Sequence, residues 1–91
     1  MSTPSLHDAI VEALAARLAP SELEVVDDSA AHAGHAGARD GSHFNVRIVS
    51  AAFAGLPRIS RHRLVYDALR PWMAEGIHAL AIDARTPDEA S

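Results

Sequence analysis

Apolar residues recur along the chain at distinct spacings, and each spacing predicts an element. Leu6, Ile10, Leu14 and Leu18 lie about one helical turn apart, a stripe that gives a helix one face to bury. Ser5 stands where an N-cap belongs, Asp8 places negative charge in the first turn, and Pro20 ends the run. Leu23-Glu24-Val25-Val26 then reads as a strand, and Phe44, Val46 and Ile48 alternate with Asn45 and Arg47 in a second. The two are expected to pair as a hairpin. Their connection, from about Asp28 to Ser42, far exceeds the roughly two to five residues a hairpin needs, and long loops in compact domains are usually functional or disordered.

Ala51 to Ile59, with Gly55 and Pro57, reads as an irregular connector, after which Ser60 is placed to cap a helix carrying Leu64, Val65, Ala68 and Leu69. Proline suits a first helical turn better than an interior, so Pro71 to Glu75 is expected as a separate short helix that buries Trp72 and Met73 and closes at Gly76. Ile77 to Ala84 is a third strand. A strand, a helical crossover and a further strand give a parallel pair, so the third strand should lie parallel to the second. Thr86-Pro87-Asp88-Glu89 has a capping residue, proline at the first helical position and glutamate three after the cap, which starts a last helical turn. The predicted order is α-β-β-α-α-β plus that turn: one α+β domain over residues 1–91, with a three-stranded mixed sheet packed against helices.

Composition narrows the class. Ninety-one residues, 48% of them apolar and 22% charged, make one small globular domain with no linker to divide it. The chain has six histidines and no cysteine, so it has no disulfide framework. It also shows no basic-then-apolar leader and no run of membrane-spanning length, and a reducing cytoplasmic setting is the expectation. A net charge of -4 argues against non-specific coating of nucleic acid. All eight basic residues are arginine.

The candidate chemistry is imidazole chemistry. His32, His35 and His43 lie in one alanine- and glycine-rich stretch that can bury little, so they should project from a loop. Without cysteine, any metal must be held by nitrogen or oxygen from this chain, with sulfur supplied by a partner. For His32 and His35 the alternative is a solvated polar loop. His43 precedes a strand, where stabilising the loop is the expected role. His78, counted along the third strand, shares a face with Leu80 and Ile82 and on that ground alone reads as a hydrogen-bonded structural histidine ahead of a ligand. His62 reads as a structural contact near a helix start and His7 as exposed on the first helical turn. Arg58, Arg61 and Arg63 cluster where the long helix starts and could grip phosphate, or form a solvated face paired with carboxylates such as Asp67 and Asp83. An enzyme is disfavoured. No nucleophile is convincing, no glycine-rich phosphate loop is present, no carboxylate pair is recognisable, and Ser42 and His43 point to opposite faces of a strand.

Several short runs taken together resemble the BolA family. They are Val26-Asp27-Asp28-Ser29-Ala30-Ala31-His32, Gly41-Ser42-His43-Phe44, Val49-Ser50, Phe53-Ala54-Gly55, Arg61-His62-Arg63-Leu64-Val65-Tyr66 and Ile77-His78-Ala79-Leu80. The match spans nearly the whole chain, and the Phe-x-Gly connector with Arg-His-Arg is specific in combination. The resemblance implies a type II KH-like fold and partnership with a monothiol glutaredoxin. A 2Fe-2S cluster is then shared, with thiolates from the glutaredoxin and its glutathione, and with His78 and one loop residue from this chain. The loop ligand would be His32 or His35, of which His32 aligns better from the strand side. The expected job is cluster trafficking or iron homeostasis by an adaptor that is not an enzyme. The second reading is a DNA-binding regulator of transcription using Arg58, Arg61 and Arg63. The Gly-x-x-Gly clamp of true KH domains is missing, which counts against RNA binding by that route.

The donor chemistry is compatible with such a cluster. Imidazole is a borderline ligand that suits iron, and mixed histidine and thiolate ligation occurs in Rieske centres. Ligation needs the neutral ring, so protonation, near pH ~6.5 for an unperturbed imidazole, should make a histidine-held cluster easier to release or transfer.

Overall fold

The computed structural model describes residues 5–28, 42–74 and 76–90. Helix α1 spans Leu6–Leu18, strand β1 Glu22–Asp27 and strand β2 Ser42–Val49, followed by a 3-10 turn at Ala51–Phe53. Helix α2 spans Arg58–Met73, strand β3 Ile77–Arg85 and the short helix α3 Pro87–Ala90. The sheet order is β1-β2-β3, with β1 antiparallel and β3 parallel to β2. Fold class, mixed sheet and strand directions all match the sequence-based expectation.

Helix α1 forms for the reasons its sequence gives. The Ser5 hydroxyl accepts a hydrogen bond from the Asp8 N–H at 3.1 Å, satisfying one otherwise orphan donor, and Ile10, Leu14 and Leu18 are buried. The helix ends at Ala19, which takes the left-handed conformation at φ 43°, a backbone region that costs a residue with a Cβ. His7 lies between two acceptors: its ring nitrogens are 3.0 Å from an Asp8 carboxylate oxygen and 2.8 Å from the Val25 carbonyl. These contacts, the Asp8 bond first, raise its pKa above the ordinary histidine value. It is therefore a tie from α1 to β1, where the sequence alone read it as simply exposed.

Two expectations for the second half are corrected. Helix α2 starts at Arg58 after Pro57, whose extended backbone serves as the cap position, so Ser60 lies inside the first turn and does not cap it. The chain also does not break at Pro71. Residues 58–73 form one continuous helix with Pro71 inside it, so the two helices expected between β2 and β3 are one. A proline removes a single N–H and clashes with the carbonyl four residues back. Here it falls in the last turn, while Val65, Ala68 and Leu69 already fix the helix on the sheet. Trp72 and Met73 are half-buried at the core margin.

The core lies between the helices and one face of the sheet. Ile10, Leu14 and Leu18 of α1 and Val65, Ala68 and Leu69 of α2 meet Val25, Phe44, Val46, Ile48 and Ile77, with Phe53 closing one end. Ser50 is the buried polar hub of that end. Its hydroxyl donates to the Leu18 carbonyl at 2.6 Å and accepts from the Ala52 N–H at 3.1 Å, while its own N–H donates to the Arg85 carbonyl at 2.9 Å. Gly76 allows the turn into β3 to pass close to α1, since a Cβ there would lie 2.8 Å from Leu6 Cδ2.

Candidate functional site

The sheet brings two histidines together. His43 alternates with the buried Phe44 and so faces away from the core. In the parallel pair, Ser42 lies opposite Ile77 but His43 lies opposite Ala79, so the ladder carries one extra residue on β3 at that step. The extra residue is His78. Such a bulge re-aims a side chain: His78 is exposed, although simple alternation would set it with the half-buried Leu80 and Ile82. The His43 and His78 rings stand 5.3 Å apart between centroids, tilted by 33°.

The surroundings of this pair are polar and shallow. The Asp28 N–H donates to the His43 carbonyl at 2.7 Å, and the Asn45 amide donates to the Asp28 carboxylate. A depression of about 200 Å³ beside His43 includes Asp28, Asn45, Ala79 and Ala81. His32 and His35 lie outside the described residues, in the segment joining Asp28 to Ser42. Among the described residues, no group of three or more His, Asp or Glu side chains is placed to hold a metal by itself. His43, read from the sequence as a loop stabiliser, is the residue that strand-counting missed. Only the bulge brings it to His78, and no sequence pattern announces that bulge.

The arginine cluster resolves into unequal parts. Arg61 is mostly buried and fully used: Nε donates to the Leu56 carbonyl at 2.8 Å, Nη1 to the Ala84 carbonyl at 3.1 Å, and both terminal nitrogens to Glu89 at 2.5 and 3.1 Å. Glu89 also completes a capping box with Thr86. The Arg61 guanidinium first, and then the Thr86 N–H, lower its pKa to about 2. Arg58 and Arg63 are exposed, and no carboxylate pairs with either among the described residues. Of the two suggested carboxylates, Asp67 pairs with Arg70 and Asp83 with Arg85. A cleft of about 650 Å³ between the start of α2, the end of β3 and α3 includes Arg58, Arg61, the half-buried His62 and Arg85. It is larger than the depression beside His43, and it contains neither His43 nor His78.

Comparison with known proteins places this arrangement. The family described as BolA-like protein matches residues 14–89. This chain belongs to the BolA family. The structure of BolA1 from Arabidopsis thaliana superposes with a TM-score of 0.87 at 42% identity, covering 99% of this chain and 100% of that one. The BolA domain of SufE1 from the same plant gives 0.82 at 49% identity, covering 97% and 99%. In sequence, the chain is 52% identical over 86 residues to SufE-like protein 1, chloroplastic/mitochondrial, of Arabidopsis thaliana, covering 88% of this chain but 23% of that protein. It is 46% identical over 70 residues to BolA-like protein 1 of Mus musculus, covering 77% and 50%. The chain thus spans about a quarter to a half of the length of these two curated BolA relatives. Among the described residues no helix is long and apolar enough to cross a membrane.

Proposed function

We propose that this BolA chain is a non-enzymatic adaptor that accepts and passes on a 2Fe-2S cluster held jointly with a monothiol glutaredoxin and its glutathione. The observation that carries the reading is the approach of exposed His78 to His43 at the rim of the sheet. Two neighbouring imidazoles on rigid strands are a fitting nitrogen donor set for iron. A chain without cysteine needs its thiolates from elsewhere, which favours a shared cluster over a resident one. His78 is the expected ligand from β3. The second comes from His32 or His35, in the segment joining Asp28 to Ser42, with His43 beside His78 to position it or to exchange with it. Cluster transfer within a reducing compartment suits this donor set, and nitrogen ligands that must lose a proton to bind also allow release.

The test is titration of a cluster-loaded monothiol glutaredoxin with the purified chain, followed by visible absorption and circular dichroism. A new spectrum at a one-to-one ratio is expected, with His78→Ala abolishing the change and His43→Ala shifting it or shortening the cluster lifetime. An unchanged spectrum with the wild-type chain would refute the reading. The DNA-binding alternative rests on Arg58 and Arg63, since Arg61 is occupied by Glu89 and two carbonyls. It requires wild-type binding to duplex DNA at low salt that weakens in the Arg58→Ala, Arg63→Ala variant, with a salt slope reduced by about one per lost phosphate contact.

A further inference from the structure

Among the described residues the sheet ends at β3, with no strand on its outer side. Two hydrogen bonds show which backbone groups face that edge. Ser50 N–H donates to the Arg85 carbonyl, so Arg85 faces β2, whereas the Ala84 carbonyl receives Arg61 from the opposite side. Successive residues of a strand in a parallel pair turn their backbone groups to alternate sides. Leu80 and Ile82 therefore direct N–H and carbonyl groups away from the sheet, and none of these four groups has a hydrogen-bond partner among the described residues. Natural edges are usually guarded by proline, lysine, inward charge or bulges. From Ile77 to Ile82 this edge has no proline and no acidic or basic side chain apart from His78. Its guards sit at its ends, in the bulge at Ser42/His43 and in Arg61 at Ala84.

Charge says what fits there. The 650 Å³ cleft adjoins the same edge, with Ile82 and Ala84 among its walls. Within it, Glu89 balances Arg61 and Asp83 balances Arg85, which leaves exposed Arg58 as a cation in excess. A second copy of the chain answers this poorly. In antiparallel pairing of two β3 edges over Leu80 and Ile82, residues 76–78 of one strand meet the cleft of the other, and none of these three described residues carries an anion for Arg58. An extended segment with alternating apolar residues and a flanking carboxylate satisfies both the backbone groups and the charge.

We propose that the outer edge of β3 is a docking site for an extended acidic segment of a partner protein, which adds a fourth strand to the sheet and sets its carboxylate against Arg58. The site is independent of the iron reading, since it needs neither His43 nor His78 as a ligand. The test uses the isotope-labelled full chain and two probes, acetyl-Glu-Thr-Val-Thr-Val-Thr-Glu-amide and its counterpart with both Glu replaced by Lys. At saturation the acidic peptide should slow amide exchange at Leu80 and Ile82 by about tenfold or more. It should bind about fivefold tighter than the basic one, and Arg58→Glu should reverse that order. No slowing at those two amides, or equal affinities untouched by Arg58→Glu, overturns the proposal. Protection that appears without peptide and rises with protein concentration, alongside a dimer in sedimentation, assigns the edge to a second copy and also overturns it.

Discussion

Replacing Ser50 by alanine tests how the end of the fold remote from the histidines is held. The side chain is 1% exposed, and its hydroxyl serves two backbone groups from two elements, the Leu18 carbonyl at the end of α1 and the Ala52 N–H at the start of the 3-10 turn. Each hydrogen bond contributes about 1 kcal/mol net, and a carbonyl left buried without a partner adds about 1–3 kcal/mol of desolvation. The alanine leaves only a small void, so the expected loss is about 2–4 kcal/mol. For a domain of this size that lowers the melting temperature by roughly 10–25 °C. Thermal and urea unfolding followed by circular dichroism measure it. Ser21→Ala is the control, because its hydroxyl makes one 3.4 Å contact to the Val49 carbonyl in a part-buried setting, and it should cost about 0.5 kcal/mol or less. At temperatures where the Ser50→Ala variant is folded, its cluster uptake should equal that of the wild type, since Ser50 lies at the opposite end of the strands from His43 and His78. A Ser50→Ala variant within 0.5 kcal/mol of wild type, on the scale of a single weak contact, would show that neither bond matters and refute the reasoning.

Ala19→Gly should stabilise the protein by about 0.5–1 kcal/mol, because it removes the cost of a Cβ at φ 43° while keeping the helix-ending bond to Ala15; urea midpoints decide it. The folded-state pKa of Glu89 lies below its ordinary value, so its contribution is present above pH 4.5 and is lost as pH falls toward 2. Glu89→Gln should flatten that acid limb of a stability-against-pH curve, and an unchanged limb would deny the Arg61–Glu89 pair any role there. Cluster lifetime with the same glutaredoxin should fall modestly in His32→Ala and His35→Ala and far more in the double variant, the non-additivity expected of shared ligand duty. A double variant that holds its cluster like the wild type removes that segment from the ligand set.

Much of the fold was legible because local signals agreed with one another. Ser5, the Leu6 to Leu18 stripe and Pro20 define α1 without help from tertiary structure, and the crossover rule alone sets β3 parallel to β2. The departures have physical causes. At Pro71 a local penalty is outweighed by packing of the preceding turns, and at Ser60 the helix starts a turn earlier because Pro57 already supplies the extended cap conformation. The histidine pair was half legible. His78 stood out through the family resemblance, but its approach to His43 depends on a one-residue slip between two strands distant in sequence, and alternation counted along β3 alone sets His78 on the wrong face. His32 and His35 lie outside the described residues, so their part rests on the sequence. Arg61, by contrast, looked from its spacing like one of three equal cations, and only its four acceptor contacts separate it from Arg58 and Arg63.

The direction of the strands has an evolutionary consequence. Because β1 runs against β2 while β3 runs with it, the last residues of β1 and the first residues of β2 and β3 all meet on one rim. Lengthening, shortening or rewriting the segment between Asp28 and Ser42 therefore changes what that rim presents without disturbing a buried contact described here. Selection can exchange residues of that segment as interchangeable parts while the supporting scaffold stays constant. Chimaeras that graft rim segments of unequal length onto this sheet should keep its unfolding cooperativity and differ in what they bind.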